Sequence, residues 1–236
     1  AKYKLNGRNQ LTADLSYDRY GYFYDYKLQE VTDYFIDGKR VTHYPGQRIK
    51  QSVQQQVLGQ LKGVFYFGES HIVNAGFEYL YSYLESPHHI DGDEASVYTV
   101  AAYGQEEWTA SDHWVLTVGA RGTLHKETGF NMSPKVSALY KVNDFNLRAS
   151  YALGYKSPTV KELYYNYVAT LGGGALTAYH GNTDLKAQTS QYASIGVEYT
   201  GKTFQASLTG YTNQLRNMIE LIDIKVTPEE KLNEIE

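Results

Sequence analysis

"HIVNAGFEYLYSYLE", residues 71–85, changes character at every second position. Val73, Ala75, Phe77, Tyr79, Tyr81 and Tyr83 fall on one side of an extended chain. Asn74, Gly76, Glu78 and Ser82 fall on the other. Such alternation marks a β-strand, because successive Cβ atoms point to opposite faces. The pattern recurs. Trp114, Leu116, Val118, Ala120 and Leu124 oppose Thr117, Gly119, Arg121, Thr123 and His125. Phe145, Leu147, Ala149, Tyr151 and Leu153 oppose Asn146, Arg148, Ser150 and Gly154, and Ala193, Ile195, Val197 and Tyr199 oppose Ser194, Gly196 and Glu198. About nine strands are expected, over 11–28, 50–67, 71–85, 95–109, 113–127, 133–142, 145–155, 189–199 and 203–216.

The connections between them are of two kinds. "FGES" (67–70), "TASD" (109–112), "KVND" (141–144) and "YTGK" (199–202) are short and carry hairpin residues. Segments 29–49, 86–94, 128–132 and 156–188 are longer and polar. Short turns at one end and long loops at the other describe an antiparallel up-and-down meander with two unlike rims, as in transmembrane β-barrels. A soluble antiparallel sheet also has one wet face. It rarely has strands of this length, since globular strands run to about 5–6 residues.

The face opposite the Leu/Val/Tyr side carries charge at Glu78, Glu106, Arg121, Arg148 and Glu198. On the barrel reading these five residues line a polar lumen, while the apolar side meets the lipid bilayer. Trp108 and Trp114 flank the turn at 110–112, where an aromatic girdle would mark the membrane boundary.

Composition agrees. There are 24 Tyr against 8 Phe and 2 Trp in 236 residues, and tyrosine suits apolar–water boundaries. The net charge of −4 and the scattered Lys and Arg give no basic patch, so no nucleic-acid partner is expected. The absence of cysteine excludes a disulfide framework and thiolate metal sites. No apolar run approaches the ~20 residues of a membrane helix. There is no phosphate loop, nucleophile elbow or metal-ligand spacing, so an enzyme, an intrinsic cofactor and a structural metal are not expected. Nine strands are odd in number and would leave free edges, so the expectation is a slice of a larger barrel whose first and last strands lie elsewhere.

"LRASYALGYKSPTVKELYY" (147–165) and "GNTDLKAQTSQYASIGVEYTGKTFQASLTGYTNQLRNMI" (181–219) resemble the C-terminal half of TonB-dependent outer-membrane receptors. "HIVNAGFEYLYS" (71–82), "YGQEEWTASDHWVLTVGARG" (103–122) and "SPKVSALYKV" (133–142) resemble the same family in order and spacing. The resemblance implies a place in the outer membrane of a Gram-negative bacterium and a barrel of roughly 22 strands with a plugged lumen. Residues 1–236 would be part of that barrel domain, with the plug domain absent from this chain. It also implies energy-coupled import of a scarce nutrient, with TonB as partner through the plug. Glu78, Glu106, Arg121, Arg148 and Glu198 would then either contact the plug or pair with one another across the wall. A passive porin is the competing reading from another class.

The family boxes here are Tyr155, Lys156, Ser157 and Pro158, then Asn182, Thr183, Asp184 and Leu185. Pro158 cannot join a ladder and disfavours helix at Ser157, so strand pairing should stop there. "VKELYY" then favours one turn of helix, and Gly181, Asn182 and Asp184 suit a turn before the return strand. Barrel-rim structure alone explains both boxes.

Haem-importing members of the family resemble this order of box, external His and second box. Haem is therefore the first-choice transported ligand, with a ferric siderophore or cobalamin next. Ser157 and Thr183 depart from the haem pattern, which has Ala and Pro there. The candidate ligand-binding residues are Tyr179 and His180 in one loop and His88 and His89 in another. Neutral imidazole is a good axial ligand for haem iron, and a tyrosinate is another. A surface lipoprotein or haemophore is a possible partner of these loops. His125 is expected at the lumenal side of the outer rim, and His71 and His113 beside periplasmic turns. "VTPEEKLNEIE" (226–236) has Thr227 and Pro228 at the start of a possible helix.

Overall fold

Every strand expected from the alternation is paired within one sheet, with a neighbour on each side except the last, 203–216, which pairs on one side only. The computed structural model describes residues 1–27, 29, 31–36, 39–170 and 176–222. Its elements are β1 (Lys2–Lys4), β2 (Gln10–Asp25), β3 (Thr32–Ile36), β4 (Lys39–His43), β5 (Arg48–Phe67), β6 (His71–Glu85) and β7 (Glu94–Thr109). There follow β8 (Trp114–His125), β9 (Gly129–Val142), β10 (Phe145–Lys156), the single helical turn α1 (Val160–Tyr164), β11 (Asn166–Thr170), β12 (Leu176–His180), β13 (Gln188–Thr200) and β14 (Gln205–Arg216). Ten of these strands form one antiparallel sheet in the order β1-β2-β5-β6-β7-β8-β9-β10-β13-β14.

The skipped numbers are two rim hairpins, β3–β4 and β11–β12, each a separate two-stranded sheet. The sequence reading left 29–49 and 156–188 as loops and missed both. Five-residue strands are too short for their period to stand out. It also began the sixth strand at 133, whereas β9 starts at Gly129, so the connection from β8 is only 126–128. The His125 ring makes that turn: its Nδ1 accepts from the backbone N–H of Glu127 and of Thr128, both at 3.3 Å. The possible helix at 227 and the glycine run at 172–174 lie outside the described residues.

Register decides the faces, since directly opposed residues point to the same side. One row runs Gln60–Glu78–Ala101–Thr123–Asn131, and its neighbour runs Leu61–Phe77–Ala102–Gly122–Met132. Exposed large apolar side chains crowd the second face: Leu61, Phe77, Tyr79, Tyr98, Trp108, Trp114, Val118, Val136, Leu147, Tyr151 and Ile195. That face is the lipid face of an outer-membrane barrel wall. Near the short turns its rings meet: Trp114 and Tyr140 at 4.7 Å, Phe145 and Tyr199 at 5.1 Å, Tyr199 and Phe204 at 5.0 Å. This is the expected aromatic girdle.

Four of the five predicted lumenal charges do face inward, and they pair with one another. Arg121 Nη2 donates to Glu78 Oε1 at 2.6 Å, and Gln60 Nε2 to Glu78 Oε2 at 2.6 Å. Arg148 Nη2 donates to Glu198 Oε2 at 3.2 Å. The fifth is a correction. Glu106 lies opposite Val73 and Val118, on the lipid side. "EE" at 106–107 must put one carboxylate on each face, and Glu107, opposite Thr117, takes the lumenal side. Residue type alone could not choose between them.

The lumenal ladder depends on close approach at one glycine. A Cβ on Gly76 would lie 2.5 Å from the Tyr103 ring and 2.7 Å from the Leu61 carbonyl oxygen. Replacing Gly76 by Val should lower stability by about 1–3 kcal/mol, the usual cost of forced overpacking. Gly104→Ala, where a Cβ meets nothing within 4 Å, should be close to neutral. Denaturant unfolding of the refolded protein in detergent measures both.

Candidate functional site

The outer rim is built from the segment that follows β10. The ladder runs to Lys156, and Pro158, buried against the sheet, ends it as expected. Thr159 then caps α1. Its hydroxyl accepts from Glu162 N at 3.3 Å, and Glu162 Oε2 accepts from Thr159 N at 2.7 Å, a reciprocal capping box. Lys156 Nζ donates to the other Glu162 oxygen at 3.1 Å. The buried face of the turn, Val160 and Leu163, packs on Leu84 and Val97 of the sheet and Ile90 of the loop 86–93. A helix of five residues is too short to stand alone; these contacts and the cap hold it.

The second box makes the return. Asn182 N donates to the Glu162 carbonyl at 3.0 Å, and Asn182 Oδ1 accepts from Asp184 N at 2.8 Å, an Asx turn. Leu185 packs against the cluster around Leu163. Tyr155 stays on the lipid side of β10 opposite Thr189, Lys156 ties down Glu162, and Ser157 and Thr183 line cavities. Gly181, read from sequence as a turn residue, is required for proximity instead. A Cβ there would lie 2.7 Å from the Leu163 carbonyl carbon and oxygen and 2.9 Å from Tyr164 N.

The structure brings together loops that looked separate. Asn166 N donates to the His89 carbonyl at 2.7 Å, Asn166 Nδ2 to Asp91 Oδ2 at 2.8 Å, and Ile90 bridges to Tyr165. His89, hydrogen-bonded through Nδ1 to Ser86 Oγ at 2.9 Å, stacks on Tyr165 at 5.6 Å and meets Tyr167 edge-on at 4.4 Å. Tyr167 stacks in turn on Tyr179 at 4.9 Å and 10°. His89 and Tyr179, predicted from different loops, thus belong to one aromatic ladder. His180, opposite Asn166 in the hairpin, lines the adjoining cleft with Tyr164, Tyr165 and Lys126. His88 is not among the residues lining this cleft.

Sequence reasoning missed Tyr165 and Tyr167. Their two-residue spacing in "YYNYVAT", facing "ALTAYH" across a glycine run, was the available hairpin signal. Burial raises the phenol pKa of both. They are neutral at neutral pH and offer ring faces rather than tyrosinate oxygens. The cleft has a volume of about 620 Å³, the size of a small-molecule site. Two ammonium groups lie over its rings, Lys126 on Tyr164 and Lys161 on Tyr165, at 5.8 and 5.6 Å. Lys126, paired with Glu127, shares the cleft with Asp91 and Glu94, so the ring faces are what the cleft chiefly offers, and they suit a ligand carrying aromatic groups.

The family model for the TonB dependent receptor-like β-barrel matches residues 1–229. The chain belongs to that family. It is similar to the ferrienterobactin receptor of Escherichia coli, 32% identical over 137 residues, which are 54% of this chain and 18% of that protein. It is also similar to the ferric enterobactin receptor of Pseudomonas aeruginosa, 33% identical over 113 residues, covering 45% of this chain and 15% of that receptor. The crystal structure of the siderophore receptor PirA from Acinetobacter baumannii superposes with a TM-score of 0.67 at 19% identity, over 88% of this chain and 32% of that one. The chain therefore spans about a fifth of the curated relatives' length and a third of the solved barrel's. It is a wall segment of an outer-membrane β-barrel.

Two predictions concern the rim. Gly181→Ala should separate the return loop from α1, raising amide exchange at 160–166 at least tenfold without disturbing β6–β8 amides; hydrogen exchange with fragment analysis reads this. The second concerns pH. The Tyr164 hydroxyl, donating to Glu127 Oε1, outweighs burial and holds Glu127 below its ordinary carboxylate value, with Lys126 adding to it. Burial alone would raise Glu162, but the Thr159 N–H, Lys156 and the Thr159 hydroxyl overcome it and leave Glu162 lowered as well. Depressed carboxylates stabilise fully above their unfolded value of about 4.3 and lose that contribution as pH falls through the folded value. Protection factors at 159–166, corrected for the intrinsic pH dependence of exchange, should fall below about pH 4, and Glu127→Gln with Glu162→Gln should flatten that fall.

Proposed function

We propose that this chain is the external-loop-bearing wall of an active importer for a ferric siderophore carrying aryl groups. The reading rests on the His89–Tyr165–Tyr167–Tyr179 ladder beside a cleft that Lys126 lines together with Asp91 and Glu94, with Lys161 over the Tyr165 ring. Ferric catecholate chelates are anionic and present flat rings, so stacking and cation–π contact both favour them. The similar receptors of Escherichia coli and Pseudomonas aeruginosa are named for ferric enterobactin. This moves the first choice from haem, preferred on sequence order alone, to the siderophore. His89 and His180 then contribute ring and hydrogen-bonding surface rather than axial ligation. A plug within the complete barrel closes the lumen, and TonB supplies the work of release. In that barrel the inward pairs Glu78–Arg121 and Arg148–Glu198 border the plug.

Fluorescence or calorimetric titration of the full-length receptor with ferric enterobactin and, separately, haemin tests the reading. Ferric enterobactin should bind more tightly, and Tyr167→Ala, which removes the ring that touches His89, Tyr165 and Tyr179, should weaken it about tenfold. Tight haemin binding with a Soret shift abolished by His180→Ala, and no response to the siderophore, would reverse the assignment.

A further inference from the structure

Glu106 is an ionisable group on a surface where charge is costly. Charge on the lipid face of a barrel is most costly at the bilayer midplane and least near the interface. Intramembrane ionisable residues are accordingly read as sites with a partner. Glu106 has one partner already: His71 Nδ1 lies 2.6 Å from Glu106 Oε1. The His71 ring is in turn stacked on Trp108, 5.8 Å apart and 7° from parallel. The Glu106 side chain nonetheless remains 42% exposed.

Glu106 and Trp108 of this trio close one end of a trough in the lipid face, with His71 behind them. Two adjacent rows of the sheet form it, Trp108–Leu116–Ala138–Ala149 and Glu106–Val118–Val136–Tyr151. Ala138 and Ala149 are the low floor, between the taller Trp108, Val118 and Tyr151. The cavity is about 460 Å³; Glu106 is the one charged residue of its lining, which is otherwise apolar except for Thr117, Ser137 and Ser150. Four strands at ~4.8 Å spacing make it about 14 Å long. It lies beside the girdle at the short-turn rim, at the level of lipid headgroups.

We propose that this trough is a specific site for one phospholipid with a zwitterionic, amine-bearing headgroup, of the phosphatidylethanolamine class. An acyl chain lies over Ala138 and Ala149. The headgroup ammonium meets the outer oxygen of Glu106, and its phosphate sits beside the His71 imidazole and the Trp108 indole N–H. The Glu106 carboxylate matches the headgroup ammonium in sign, and the aromatic pair of His71 and Trp108 lies beside it where the phosphate would stand. An anionic headgroup lacking the amine meets the Glu106 carboxylate with nothing to offset it. The occupant is a lipid because the face belongs to a membrane wall.

The two tryptophans of this chain both stand at this rim, which supplies the test. The full-length receptor is reconstituted in vesicles with phosphatidylethanolamine or phosphatidylglycerol, each with brominated, quenching acyl chains, at equal low mole fraction. Subtracting the emission of Trp108→Phe isolates the Trp108 signal. Brominated phosphatidylethanolamine should quench it about threefold more than phosphatidylglycerol, a bias of ~0.7 kcal/mol. Glu106→Gln should bring the ratio to about one. Ala138→Leu with Ala149→Leu, which fills the floor, should remove the excess quenching while leaving the unfolding midpoint in place. Equal quenching by the two lipids, stronger quenching by phosphatidylglycerol, or a preference that survives Glu106→Gln would each overturn the proposal. So would preferential displacement of both lipids by lipopolysaccharide.

Discussion

A chain that crosses hydrocarbon with strands must satisfy each backbone N–H and C=O from a neighbouring strand, because the bilayer offers no substitute. Everything else in this protein follows from that constraint. Continuous pairing from β2 through β14 fixes a register over most of the chain, and the register fixes which side chains meet lipid and which meet the lumen. The lumenal side then accepts Arg121–Glu78 and Arg148–Glu198. Such partly exposed pairs add little stability individually. Their value is that polar groups pointing inward keep the register from slipping by one residue, which would send every one of them into lipid.

The constraint stops at the outer rim, and there the structure changes its means of support. Pairing ends at Lys156, so α1 and the β11–β12 hairpin rely on a capping box, an Asx turn, a glycine-dependent close approach and a small apolar cluster. The family boxes around Pro158 and Asn182 serve this scaffold. The residues proposed to meet the ligand, His89, Tyr165, Tyr167 and Tyr179, sit between the boxes and in the neighbouring loop. That division lets the ligand-facing segment vary while the frame holds it over the mouth.

The strands and their faces were legible because alternation over a dozen or more residues leaves little freedom. Glu78, Arg121, Arg148 and Glu198 share the face opposite the apolar side for that reason, and the helical turn after Pro158 and the rings at Trp108 and Trp114 were legible too. Glu106 was not, because two consecutive glutamates carry no information about which one faces in. The rim hairpins were missed because five-residue strands show barely two periods. The aromatic ladder was half visible: His89 and Tyr179 were singled out, but their union through Tyr165 and Tyr167 depends on loop docking, a tertiary contact between residues about 75 positions apart. The ligand was the least legible feature, since box order is shared among receptors whose cargoes differ.

The two-faced wall, with Glu106 on the lipid side, is the central claim, and the absence of native cysteine in this chain makes it directly accessible. Single cysteines placed at 77, 78, 79, 106, 107, 118 and 121 can be probed in the full-length receptor in native membranes with a membrane-impermeant and a lipid-soluble maleimide. The account predicts water-side labelling at 78, 107 and 121 and labelling only by the lipid-soluble reagent at 77, 79, 106 and 118. Water-side labelling at 106 with protection at 107, or no alternation along β6, would contradict it.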